Sequence, residues 1–163
     1  MRRNTANFLA DFKVKMLLLW QKPSFQDEIE YWDHYLAANE LLIFDEAIKQ
    51  KAFPRVLKDE ISKFRNKHHS APQVLEVGSG PVSLLLEGVE KGDIEVKAID
   101  PLAETYSILL QKHGIEYPIK PVLGFAENLS RNFSPSTFDF VYSSNALDHA
   151  LLTCLGIFGP IEI

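Results

Sequence analysis

Two carboxylates and two glycines carry most of the chemical information in this chain. Glu76, Gly78 and Gly80 lie within Val74-Leu75-Glu76-Val77-Gly78-Ser79-Gly80-Pro81, and Asp100 ends the run Val96-Lys97-Ala98-Ile99-Asp100, twenty-two residues after Gly78. A short apolar run that ends in glycines and opens an apolar helix is the first half of a βαβ unit, where small residues let the backbone approach a ligand closely. A carboxylate at the end of the neighbouring strand accepts both hydroxyl protons of a ribose. The pair therefore reads as a nucleoside cofactor site. Each part has a plainer reading: the glycines as an ordinary strand-to-helix turn, and Asp100 as a helix N-cap beside Pro101, a role compatible with ribose binding.

Which nucleoside cofactor follows from the details. Gly78-Ser79-Gly80-Pro81-Val82-Ser83 departs from G-x-G-x-x-G, with Ser83 in the sixth position and Pro81 where a dinucleotide loop turns into its pyrophosphate-binding helix. Glu76, at the carboxyl end of the first strand, would repel a pyrophosphate and favour a ligand that carries positive charge. S-adenosylmethionine fits, since its sulfonium and α-ammonium are cationic and it has no phosphate.

On these residues the chain resembles the class I S-adenosylmethionine-dependent methyltransferases, over ordered motifs from about Gln73 to His149. The first is Leu75-Glu76-Val77-Gly78-Ser79-Gly80, with Val82 where the family often has a third glycine. Ile99-Asp100-Pro101-Leu102 is the second, Gly124-Phe125-Ala126-Glu127-Asn128-Leu129 the third, and Phe138 to His149 the fourth. The resemblance implies a Rossmann-like, doubly wound parallel sheet with strand order 3-2-1-4-5, and methyl transfer to a small-molecule acceptor. It implies that Gly78, Ser79 and Gly80 approach the methionine part of the cofactor and that Asp100, with Pro101, holds the ribose hydroxyls. Phe125, Ala126 and Glu127 then meet the adenine: many relatives have an aspartate where Phe125 stands, so Glu127 or backbone groups replace it, or Phe125 packs on the ring. Glu127 is equally suited to a helix N-terminus by its charge. Ser144 and Asn145 belong to the loop that faces the methionine moiety and the acceptor. His149 is the histidine nearest the expected transfer site and is a candidate general base; a surface position on the following helix is the alternative.

Composition sets the outer limits. The 163 residues are 46% hydrophobic and 24% charged, with a formal net charge of -5, which fits one globular domain and opposes long-range attraction to nucleic acid. The single cysteine, Cys154, excludes an internal disulfide framework and leaves no zinc-like spacing, so a metal-free, cytoplasmic protein is expected. His68-His69 reads as a solvated loop. Asp11, Lys13 and Lys15 interrupt the apolar stretch behind Arg2-Arg3, so neither a signal peptide nor a membrane span is expected. Phe8, Leu9, Phe12, Met16 and Leu19 form one stripe of a core-docking or lid helix, with a membrane-surface helix as the alternative.

The elements divide into residues 1–70, an N-terminal helical region; 71–150, the cofactor-binding half-domain; and 151–163, an apolar tail. In the first region a helix starts at Pro23-Ser24, with Phe25, Ile29, Trp32 and Leu36 at core spacing and Asp27, Glu28, Glu30 and Asp33 outward. Another runs through Leu41 to Lys51. Strands are expected at Val74–Val77, Ile94–Ile99, near Ile119–Val122 and at Phe138–Tyr142, with helices from Pro81 to about Gly92 and from Leu102 to His113. Tyr106, on the second of these helices, reads as packing. Only twenty-one residues follow Tyr142, so an incomplete C-terminal half is expected, with self-association through the fourth strand's edge and the tail. Two further function classes remain beside the methyltransferase: a noncatalytic remnant of its cofactor site, and an NAD-binding domain, which Glu76 and Ser83 disfavour.

Overall fold

The computed structural model describes residues 24–39, 43–45, 49 and 52–144. Its centre is a four-stranded, all-parallel sheet formed by β1 (Gln73–Val77), β2 (Glu95–Asp100), β3 (Val122–Leu123) and β4 (Phe140–Ser143), in the order β3-β2-β1-β4. Helices α1 (Ser24–Asn39) and α2 (Arg55–His68) precede it; α3 (Leu86–Glu90), α4 (Ala103–Lys112) and α5 (Leu129–Asn132) alternate with its strands.

β1 is buried at every position after Gln73, as expected of a parallel strand covered on both faces. The period of two divides its side chains. Val74 belongs to a cluster with Phe53, Leu57, Ile61, Leu85 and Ile94, whereas Leu75 and Val77 join Ile99 and pack against Ala126, Leu129, Phe133 and Phe138. The largest cluster unites α1 and α4 through Leu36, Tyr106, Leu109 and Leu110, and extends to Ala98 and Tyr117. Burial of such side chains contributes about 25 cal/mol per Å² of apolar surface removed from water, the main favourable term in the fold.

Three expected boundaries move for physical reasons. The helix predicted from Pro81 starts at Leu86, after an irregular stretch over 81–83 and a turn at 84–85. The Ser83 hydroxyl accepts the Leu85 N–H at 3.0 Å, a local bond that competes with helix backbone pairing. The third strand is Val122–Leu123 rather than Ile119–Val122, because Pro121 has no N–H for a ladder and Ile119 is buried in the core cluster. The last strand begins at Phe140 because Asp139 is used at the strand's mouth, donating its N–H to the Gln73 carbonyl and accepting the Gln73 N–H on Oδ2, both at 2.8 Å. Asp33, expected to face water, is partly buried and paired with Lys112 and His113 at 2.7 Å. Of the expected helix at 41–51, Ile43 and Phe44 form a turn, and helical bonds join Lys49 to Asp45 and Phe53 to Lys49. The stripe from Phe8 to Leu19, the remainder of 41–51 and the tail 151–163 lie outside the described residues. Among the described residues no helix is long and apolar enough to cross a membrane.

Candidate functional site

Because all four strands are parallel, their carboxyl ends meet along one edge of the sheet. Each end carries part of the candidate site. β1 runs into Gly78-Ser79-Gly80, β2 into Asp100-Pro101, β3 into Gly124-Phe125 and the 3₁₀ turn Ala126–Asn128, and β4 into Ser143-Ser144. The order reverses beside β1, with β2 on one side and β4 on the other. A crevice at such a reversal is where open α/β sheets bind ligands.

The glycine loop is fastened to β2 at three points. Gly78 N–H donates to the Ile99 carbonyl at 2.9 Å, Ser79 N–H to the same oxygen at 3.4 Å, and Gly80 N–H to Asp100 Oδ2 at 3.0 Å. Gly78 and Gly80 have φ of 70° and 62°, the left-handed region that favours glycine. Asp100 Oδ1 accepts the Leu102 N–H at 2.8 Å. One carboxylate thus joins the glycine loop to the start of α4. Gly124 N–H donates to the Asp100 carbonyl at 3.3 Å, which brings the third motif to the same place. A Cβ on Gly124 would lie 3.0 Å from Ile99 Cβ, so a larger residue would push this strand end away from β2.

Glu76 shares the face of β1 that carries Val74 and sits beneath the glycine loop, 3% exposed. The Ser83 hydroxyl donates to its Oε2 at 2.5 Å. Burial raises the Glu76 carboxyl to about 7, against the lowering effect of the bonds from Ser83 and the Leu84 backbone, and the neighbouring charge of Asp100 adds to the rise. Burial likewise raises Asp100 to about 6, opposed by the bonds from Leu102 and Gly80 and assisted by the charge of Glu28. Glu28 comes from α1, where its Oε1 accepts the Tyr106 hydroxyl at 2.6 Å. Three carboxylates therefore share this edge, an arrangement that disfavours a phosphate and favours a cation.

Residues to which the sequence assigns no ligand contact complete the surroundings. Ser83 orients Glu76, and its carbonyl accepts the Tyr117 hydroxyl at 2.8 Å. Trp32 of α1 packs on the glycine loop. Ser143 Oγ is buried at the end of β4, in register with Val77, without a hydrogen-bond partner among the described residues. Ser143 falls within the fourth motif, but its burial is not visible there because it depends on the pairing of two strands far apart in sequence.

Of the expected site residues, Glu76, Gly80 and Asp100 are buried, and Gly78, Ser79, Pro101, Phe125, Ala126, Glu127 and Ser144 are partly exposed. Ala126 packs on the β1–β2 face of Leu75, Val77 and Ile99. Asn145 and His149 lie outside the described residues. A cavity of about 490 Å³ opens elsewhere, lined by residues that include Lys58, Arg65, Ser70, Ala71, Glu87 and Asp93. Ser70 and Asp93 precede β1 and β2, so this cavity lies at the amino ends of the strands; its Arg65 and Asp93 form an ion pair.

No protein-family model matches the chain, and neither a curated protein nor a solved structure matches it. The parallel α/β sheet and the residues along its carboxyl edge therefore carry the functional reading.

Proposed function

We propose that the sheet is a Rossmann-like sheet whose carboxyl edge binds S-adenosylmethionine, and that the protein is a methyltransferase acting on a small-molecule acceptor. The observation that carries this reading is the Asp100 carboxylate, held at the sheet reversal between Gly80 N–H and Leu102 N–H. A carboxylate oxygen has two lone pairs, so Asp100 retains acceptor capacity for ribose hydroxyls while its backbone partners fix its orientation. Glu76 and Glu28 surround it with negative charge, which supports a cationic ligand over a dinucleotide. The buried Ser143 hydroxyl, without a partner among the described residues, fits a polar ligand atom at the end of β4.

When bound, the cofactor supplies an electrophilic methyl group with a good leaving group. The chain's own residues then have a positioning task. Asp100 orients the ribose, the Gly78–Gly80 backbone borders the methionine chain, and the turn at Phe125–Glu127 borders the adenine. Buried Glu76 contributes charge through the loop rather than direct contact.

A second reading has its own support. Trp32 already fills the space over Gly80, as a noncatalytic domain with a self-filled cofactor site would have it. Calorimetric titration with S-adenosylhomocysteine, with NAD as control, separates the readings. Micromolar binding of the former alone supports the cofactor site; absence of binding by folded protein overturns it.

A further inference from the structure

We propose that α1 is a gate over the glycine loop, with Trp32 as a plug that must leave Gly80 before a nucleoside cofactor can reach Asp100. The inference rests on the cofactor reading above and adds to it what controls access. A Cβ built on Gly80 would lie 2.9 Å from Trp32 Cζ2, 3.4 Å from Cε2 and 3.6 Å from Cη2. The indole thus occupies the space that the glycine leaves open. Gly80 N–H is bonded to Asp100, so a ligand that lies along this backbone and reaches that carboxylate competes with the indole for one volume.

The attachment of α1 suits a gate. Among its residues with described burial, Leu36 alone is fully buried, while Phe25, Ile29, Trp32 and Tyr35 are partly covered. The polar anchors at Glu28, Trp32 and Asp33 land on α4 or just beyond it. Glu28 accepts the Tyr106 hydroxyl at 2.6 Å, Asp33 pairs with Lys112 and His113 at 2.7 Å, and Trp32 meets Tyr106 edge to face with centroids 6.3 Å apart. The edge of α4 thus serves as a latch. Elements with few buried contacts and partly exposed polar anchors open at low free-energy cost. A cofactor that binds only the open form has its apparent affinity reduced by the open fraction.

The test uses the full chain with Trp20→Phe, which leaves Trp32 as the sole tryptophan, and S-adenosylhomocysteine as probe. Binding should shift Trp32 emission to the red as the indole moves into water. Tyr106→Phe, which removes the hydroxyl that Glu28 and the Trp32 indole both hold, should raise the association rate and tighten binding by about three- to ten-fold, and Trp32→Ala should do at least as much. The gate is overturned if calorimetry shows binding while the emission stays fixed, or if both variants bind within two-fold of the parent. Loss of binding in a folded Trp32→Ala protein would also overturn it, by making Trp32 a ligand contact. Failure of parent and Trp32→Ala alike to bind would remove the cofactor reading itself, and the gate with it.

Discussion

Cofactor binding at the glycine loop is expected to release about one proton per site at pH 6.5 and almost none at pH 8.5. Glu76, raised to about 7, and Asp100, raised to about 6, are both burdened by burial and by neighbouring negative charge. At pH 6.5 Glu76 is roughly three quarters protonated and Asp100 roughly one quarter. A ligand whose ribose needs Asp100 as an acceptor, and whose cationic end rewards the charge on Glu76, binds the doubly ionised form. It must displace those protons. Affinity should then fall about twenty-fold between pH 8 and pH 6, the product of the two protonation penalties. Calorimetry at pH 6.5 in buffers of different ionisation enthalpy counts the protons directly. Glu76→Gln removes most of the release and keeps an acceptor for the Ser83 hydroxyl, so the difference between the proteins assigns the proton. A pH-independent affinity, or a heat that does not vary with buffer, would refute the electrostatic reasoning even if binding occurs.

Three other outcomes follow from the same geometry. Because both carboxyls have folded values above their unfolded ones, they stabilise the fold most below about pH 4, and this contribution is lost as pH rises through about 6 and 7. The ligand-free protein should lose up to about 3 kcal/mol per carboxylate from them between pH 4 and 8, and urea unfolding of Glu76→Gln should show a flatter profile; an equal slope in both proteins would contradict this. Asp100→Ala should weaken S-adenosylhomocysteine by about ten- to a hundred-fold, the scale of losing a charge-assisted hydrogen-bonded group; unchanged affinity in a folded variant would remove the ribose role. Gly80→Ala, at φ +62° and with Trp32 in the way, should cost about 1–3 kcal/mol by denaturant unfolding; an unaltered midpoint would mean that the indole yields freely.

The alternation of strands and helices is legible because buried parallel strands are short apolar runs and the longer helices, α1 and α4, repeat their apolar residues every three or four positions. Asp100 and the glycines were legible for a different reason: the demand for positive φ and for a carboxylate at a strand end restricts residue type locally. The helical spacing of Trp32 marks it as core, but its meeting with Gly80 spans forty-eight residues that no periodicity connects. Glu28 has the pattern of a solvated charge for the same reason, since its partner Tyr106 lies on α4. In the sequence Ser83 stands out only as a departure from glycine, whereas its hydroxyl both holds Glu76 and delays the next helix.

Asp139 has a consequence for how the chain assembles. The period-two pattern of β4 tolerates a slip of two residues against β1, because such a slip returns every side chain to the same face. The paired bonds between Asp139 and Gln73 exist in one alignment alone. Joining Gln73 to Asp139 closes a loop three times longer than joining it to Glu95, an added entropic cost of about 1 kcal/mol, and two hydrogen bonds at about 1 kcal/mol each are enough to offset it. Asp139 therefore acts as the registration mark of the late-closing strand, and it is this alignment that sets Ser143 beside Val77, next to the glycine loop, instead of two residues short of it.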